Sequence, residues 1–226
     1  WVSGNGTQRL IVASTGAAVS QFPLDGVTYN AISFLGNGTS LGSGNFVVYQ
    51  SSGNSFLVTN LAPATTYHFR VFEQNGSGES SNFFTPVATN NPMSRITLSS
   101  EPFAHAGSFT ATQAGTNQIN LAFSAASTVT GAAGYIILRR QDGANPTSSG
   151  IVDGLAAPST PTAGTTLVTT ITSTATTSFN DTGVSPGIQY NYVIIPYGYN
   201  GSDPISPVTF SNVEMKLSRE EYSAIV

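Results

Sequence analysis

The feature that most constrains this chain of 226 residues is an internal repeat. Ser55-Phe56, Leu61-Ala62-Pro63, Tyr67, Phe69 and Val71 are answered by Ser178-Phe179, Val184-Ser185-Pro186, Tyr190, Tyr192 and Ile194, at a constant spacing of 123 residues. Further out, Arg9–Val12 answers Tyr135–Leu138, Asp25-Gly26 answers Asp153-Gly154, and Asn75-Gly76-Ser77 answers Asn200-Gly201-Ser202. Two copies of one unit must each close a core within their own half. The polar, Pro-containing stretch Thr89–Ser100 between them reads as a linker. The expected organisation is one unit over 1–92, a second over 96–214 and a C-terminal tail over 215–226.

The copies read as β-structure. Apolar and β-branched residues cluster in short runs: Arg9–Ala13, Phe46–Gln50, Ser55–Thr59, Tyr67–Phe72, Ser108–Thr112, Gln118–Ser124, Tyr135–Arg139, Leu167–Thr172, Ile188–Ile195 and Val208–Val213. Asn-Gly, Asp-Gly and Pro-Gly pairs separate them, as turns require. Only 8% of residues are charged and Lys216 is the single lysine, against about 25% charged in an average soluble protein. Long exposed helices and coiled coils are excluded on that ground. No apolar run approaches the roughly 18 residues of a membrane helix. A net charge of −4 carries no basic footprint for nucleic acid. With no cysteine, disulfides, thiolate metal sites and thiol nucleophiles are excluded together.

The run Leu61-x-Pro63-x-Thr65-x-Tyr67-x-Phe69-x-Val71, closed by Asn75-Gly76-Ser77-Gly78, resembles the E–F corner and strand F of fibronectin type III domains. Val184-x-Pro186-x-x-x-Tyr190-x-Tyr192-x-Ile194 is similar. The resemblance covers nearly the whole chain. Its Gly-Asn-Gly-Thr turn (Gly4–Thr7) and Asp25–Tyr29 segment look like repeats in secreted and surface proteins of Bacteroidota. It implies an all-β fold of two tandem immunoglobulin-like sandwiches. It also implies a structural tyrosine corner at Tyr67 and Tyr190, with the ring in the core and the hydroxyl bonded to upstream backbone. An extracellular or cell-surface location follows from the same likeness.

Against that frame the first copy is short. Trp1 falls opposite Phe123, so strand A and most of strand B of the first copy have no counterpart. Either the chain is a fragment of a longer protein or a neighbour supplies the strands. The tail is the candidate donor, because Val213, Met215 and Leu217 alternate with polar residues and Ile225 and Val226 end the chain apolar.

No catalytic residue, metal ligand or cofactor is expected. His68 alternates to the face opposite Tyr67, His105 lies in the linker or in strand A of the second copy, and the two histidines do not stand at a metal-ligand spacing. Asp25, Glu73, Glu79, Asp142, Asp153, Asp181 and Asp203 are scattered, mostly at turns, and there is no nucleophile elbow or phosphate loop. Tyr197 and Tyr199, beside Gly198, are the candidate ligand contacts, since exposed tyrosines stack on sugars and anchor proteins. The expected function is a non-catalytic structural or adhesion module, assembling head-to-tail into a surface filament or sheath by strand complementation. The alternative is a carbohydrate- or protein-binding module of a secreted enzyme or adhesin. Expected partners are copies of itself, other domains of the same secreted protein, or polysaccharide.

Overall fold

The computed structural model describes residues 1–126 and 131–199 and the backbone of 222–225. Among these, thirteen strands and one short 3-10 turn, Gly78–Ser80, are the regular elements. The chain divides into two compact units, Trp1–Thr97 and Leu98–Val226.

In the first unit β1 (Gln8–Thr15) lies between β3 (Asn45–Ser51) and β4 (Thr66–Asn75), antiparallel to both. The short β2 (Ser40–Gly42) extends the sheet beyond β3, and β5 (Asn82–Phe84) and β6 (Met93–Ile96) pair with opposite ends of β4. Between β5 and β6 the side chain of Asn91 takes the place of a strand. Val71 N–H donates to Asn91 Oδ1 at 3.0 Å, and Asn91 Nδ2 donates to the Val71 carbonyl at 2.7 Å.

β1 is apolar on both faces because both are covered. Leu10 and Val12 pack with Val47 and Phe72, and with Val19 and Tyr29 from the long loop after β1. Ile11 and Ala13 face the other way, toward Val48, Leu35 and Tyr67. Such two-sided burial removes the polar alternation of a half-exposed strand.

The second unit has two sheets. One runs β10 (Thr165–Ile171), β9 (Gly134–Arg140), β12 (Asn191–Tyr197), β13 (Tyr222–Ile225); the other runs β11 (Ser178–Asp181), β8 (Ile119–Ser124), β7 (Gly107–Gln113). Ile119, Leu121 and Phe123, alternate residues of β8, pack against Tyr135, Ile137, Tyr192 and Ile194, which makes this unit a sandwich. The outer face of the four-stranded sheet is covered as well, with Ile151 from the loop after β9 on Ile136, Leu138 and Val193.

The first unit has one sheet where the second has two, because β7 and β8 have no counterpart in it. This also corrects the expected strand Ser55–Thr59. It joins no ladder, and only Thr59 makes an isolated bridge, to Phe34. Its equivalent in the second unit, β11, pairs with β8.

Two boundaries are corrected. The stretch expected as a linker contains β6, which pairs with Thr66–Phe69. It reads as polar because it is an exposed edge strand. The division falls at Thr97, past 92. At the other end, Tyr222–Ile225 do not stand apart as a tail. Their backbone runs antiparallel to β12, with Ile225 opposite Asn191. The expected strand Val208–Val213 and the residues Val213, Met215, Leu217 and Val226 lie outside the described residues.

Candidate functional site

Each unit places a tyrosine at the start of its central returning strand. Tyr67 is 3% exposed and its hydroxyl accepts the Ala62 N–H at 2.7 Å; Tyr190 is 4% exposed and accepts the Ser185 N–H at 2.9 Å. Both bonds reach back five residues, closing the turn that feeds the strand. These tyrosines are fully engaged in holding the fold.

The expected ligand contact at Tyr197 is overturned. Tyr197 is the last residue of β12, is completely buried and donates to the Ile171 carbonyl at 3.3 Å. The strand runs further than its apolar run suggests, and its outer face is roofed, so the ring points into a second core. Burial pushes its phenol up to about 12. Gly134 is required beneath it: a Cβ there would sit 2.0 Å from the Ile171 carbonyl oxygen and 2.8 Å from the Tyr197 hydroxyl. Tyr199 packs half-buried against the same cluster. Neither ring forms an open aromatic platform.

A polar network in the second unit was not expected from the sequence. Asp181, read there as a turn carboxylate, ends β11 with 3% exposure. Its Oδ2 lies 2.7 Å from Arg139 Nη1 and accepts the Tyr192 hydroxyl at 2.9 Å, while Oδ1 accepts the Gly183 N–H at 2.9 Å. Arg139 also lies over the Tyr190 ring at 5.1 Å. Burial, then the neighbouring Asp181 carboxylate, pushes the Tyr192 phenol well above its usual range. A signal was present: at the equivalent positions of the first copy stand Ala13, Val58 and Phe69, so three positions change from apolar to polar together.

The first unit carries a groove of about 740 Å³ floored by Ile11, Phe56, Phe69 and Val71, with Trp1 and Met93 on its walls. Glu73 is its only ionisable side chain, and it is already committed. Its carboxylate accepts the Gly4 N–H at 2.8 Å and the Gly6 N–H at 3.0 Å, and lies 3.3 Å from Arg9 Nε. Arg9 in turn donates to the Ser52 carbonyl at 2.7 Å. Asp25, the other acidic residue with a defined task in this unit, accepts the Phe83 N–H at 2.7 Å and so fixes the start of β5. His68 is half-buried on β4, opposite Ser14 and Ser94 in the ladder. Among the described residues no group of three His, Asp or Glu is close enough to hold a metal.

No protein-family model matches the chain, and no curated protein matches it. Among solved structures it is similar to a Fn3-like protein from Clostridium thermocellum, with 24% identity over 55% of this chain and 92% of that one and a TM-score of 0.33. It is similar to a two-domain fibronectin type III segment of chicken tenascin, with 11% identity over 99% and 85% and a TM-score of 0.33. It is also similar to the FN1–FN3 domains of chicken CNTN1, with 9% identity over 98% and 57% and a TM-score of 0.46. The structural neighbours are fibronectin type III domains, in tandem in the two chicken proteins. No helix among the described residues is long and apolar enough to cross a membrane.

Proposed function

We propose that the chain is a non-catalytic structural module of an extracellular or cell-surface protein, in which folded β units space or present other parts. The observation that carries this reading is the use to which its charges are put. Glu73 with Arg9 pins the Gly4–Gly6 backbone, Asp181 with Arg139 sits inside the second core, and Arg140 pairs with Asp142 beside it in the chain. The open groove offers apolar carbon and one carboxylate that is already spent. A hydrolase needs a nucleophile with a base, or two opposed carboxylates, around a reacting atom.

Head-to-tail filament assembly through a donated tail has less support within this reading, because Tyr222–Ile225 already complete the sheet of their own unit. Glycan binding at Tyr197 and Tyr199 has less still, because Tyr197 is buried.

Two measurements test the proposal together. An antibody against the chain should label intact, unpermeabilised cells of the producing organism, or its culture fluid. Purified protein should not turn over polysaccharide, ester or phosphodiester substrates. Turnover abolished by Glu73→Gln, or label confined to permeabilised cells, would overturn it.

A further inference from the structure

Asn-Gly pairs stand in the sequence at Asn5, Asn37, Asn75 and Asn200. In such a pair the glycine amide nitrogen can attack the asparagine carboxamide. The five-membered ring that forms needs no second molecule, and no Cβ on the glycine stands in the way. The attack requires the glycine amide to give up its proton. At the first pair a group is placed to take it: Gly6 N–H donates to Glu73 Oε2 at 3.0 Å. The other oxygen accepts the Gly4 N–H at 2.8 Å, and Arg9 Nε lies 3.3 Å from Oε2, so the carboxylate is held on both sides of Asn5. Gly6 is what admits it, since a Cβ there would sit 2.6 Å from Oε2 and 2.9 Å from the Gln74 nitrogen. Asn5 itself is exposed and lines the groove, and among the described residues no hydrogen bond holds its carboxamide.

The other described pairs are built differently. Asn75 ends β4 opposite Asn82, and its Oδ1 accepts the Thr7 N–H at 3.1 Å. Its carboxamide cannot turn onto Gly76 without breaking that bond. Asn37-Gly38 is wedged against β3: a Cβ on Gly38 would lie 1.9 Å from the Val47 carbonyl oxygen, and its nearest neighbours are main-chain atoms of Val47 and Asn30. Asn200-Gly201 lies outside the described residues.

We propose that Asn5 is a self-modifying residue, in which Glu73 is the base that turns the Asn5-Gly6 pair into a succinimide and, with water, into aspartate or isoaspartate. Glu73 Oε2 takes the Gly6 amide proton as that nitrogen bonds to Asn5 Cγ. The Cγ–Nδ2 bond then breaks, and the leaving amide takes the proton back from Glu73 and departs as ammonia. Water opens the ring at either carbonyl. Addition at Cγ leaves aspartate in an unchanged main chain. Addition at the main-chain carbonyl leaves isoaspartate, with the chain running through Cβ and Cγ. No oxidant or reductant takes part, and Glu73 ends as it began.

The products act on the clamp that made them. Isoaspartate lengthens the main chain between Gly4 and Gly6, and either product adds a carboxylate beside Glu73, where like charges repel. One carboxylate then no longer meets both glycine amides. Loss of ammonia makes the step one-way, so the Gly4–Gly6 segment is unlatched from β4 once. This is a single conversion of the chain's own residue, not turnover of a substrate, and it stands or falls apart from the module reading.

The test holds the intact chain folded in neutral buffer, beside the same chain unfolded in guanidinium chloride. Each Asn-Gly pair is followed in digests by peptide mass mapping and by labelling with an isoaspartyl methyltransferase. A positioned base contributes about 10²–10⁴-fold and the held backbone takes part of that back, so Asn5 should convert about tenfold faster folded than unfolded. Asn37 and Asn75 should convert more slowly folded than unfolded. Glu73→Gln should slow Asn5 about tenfold in the folded chain and leave its rate unchanged in the unfolded chain. A clamp that only restrains the backbone moves both readings the other way, slower when folded and faster in Glu73→Gln. The folded–unfolded comparison uses the unaltered chain, so it decides even where the variant fails to fold. Asn5 converting no faster folded than unfolded overturns the proposal, as does a folded Glu73→Gln chain that converts at the parent's rate or faster. Gly4 amide protection should fall in step with Asn5 conversion; unchanged protection in the converted chain overturns the unlatching.

Discussion

The Asp181 carboxylate lies 2.7 Å from the Arg139 guanidinium and 2.9 Å from the Tyr192 hydroxyl, inside the second unit, where the first unit has Val58, Ala13 and Phe69. One scaffold thus tolerates either a charged triad or an apolar trio at one place. The consequence follows from the cost of an unpaired buried charge. Asp181→Ala leaves Arg139 without its counter-ion and Tyr192 without its acceptor. It should destabilise the second unit by about 3 kcal/mol, the lower end for breaking a buried pair because Arg139 is partly exposed. The triple change Arg139→Ala, Asp181→Val, Tyr192→Phe, which copies the first unit, should recover most of that loss. Denaturant unfolding of the three proteins checks it; a triple variant no more stable than Asp181→Ala would refute the equivalence of the two sites.

Alkaline pH should weaken the second unit in particular. Burial raises the phenols of Tyr135, Tyr192 and Tyr197, the last to about 12. Below the unfolded phenol value near 10, both states hold these protons and the contribution is complete. Above it the unfolded chain releases protons that the folded chain keeps, so the unfolded state gains and stability falls as pH rises. Thermal unfolding between about pH 9 and pH 12 should show this decline. Tyr192→Phe and Tyr197→Phe should each flatten it, and an unchanged slope would count against the burial of these rings.

Tyr67→Phe and Tyr190→Phe should each cost about 1 kcal/mol, the net worth of one hydrogen bond, in the unit that carries the change. Tyr197→Ala should cost more, about 3–5 kcal/mol, because it empties a filled core. Gly134→Ala should behave like a folding mutant despite its small size. Calorimetry of the four variants orders them; a Tyr197→Ala protein as stable as the parent would restore the reading of that ring as a surface contact.

What was legible in the sequence was the periodicity of single residues. Tyr67, Phe69 and Val71 alternate onto one face, Tyr190, Tyr192 and Ile194 do the same, and both sets line inner faces. What was not legible depends on partners distant in the chain. Tyr197 beside two glycine-flanked positions reads as a loop because nothing local announces that Ile151 and its loop roof the outer face. Asp181 reads as a turn residue because its partner Arg139 lies on another strand. Ser55–Thr59 has a strand's composition, but a strand is a pairing, and among the described residues this segment joins no ladder. Comparison of the two copies position by position carries part of the missing information, as Ala13, Val58 and Phe69 against Arg139, Asp181 and Tyr192 show.

Glu73 should control the amino end of the first unit. Its carboxylate holds the Gly4 and Gly6 amides and the Arg9 side chain together, and hydrogen bonds to a charged group are worth about 1.5–3 kcal/mol each before strain and exposure reduce them. Glu73→Ala should speed amide exchange at Gly4 and Gly6 while leaving β13 and the second unit untouched. Unchanged exchange at both glycines would show that the clamp does not form in solution.

The last prediction concerns the carboxyl end. Tyr222–Ile225 cover an edge of β12, opposite Ile194 through Asn191, and β12 is the strand that carries Tyr192, Ile194 and Tyr197. Removing residues 222–226 uncovers that edge, and two to four ladder bonds at about 1 kcal/mol each are lost. The second unit should therefore unfold about 2–4 kcal/mol more easily, with the first unit unaffected. A donated tail predicts a different pattern: the truncated chain would keep its stability as a monomer and lose only the ability to form larger species. Analytical ultracentrifugation beside denaturant unfolding separates the two. Lost stability with an unchanged association state supports β13 as a strand of its own unit. Retained stability with loss of oligomers would return the segment to the role of a donor.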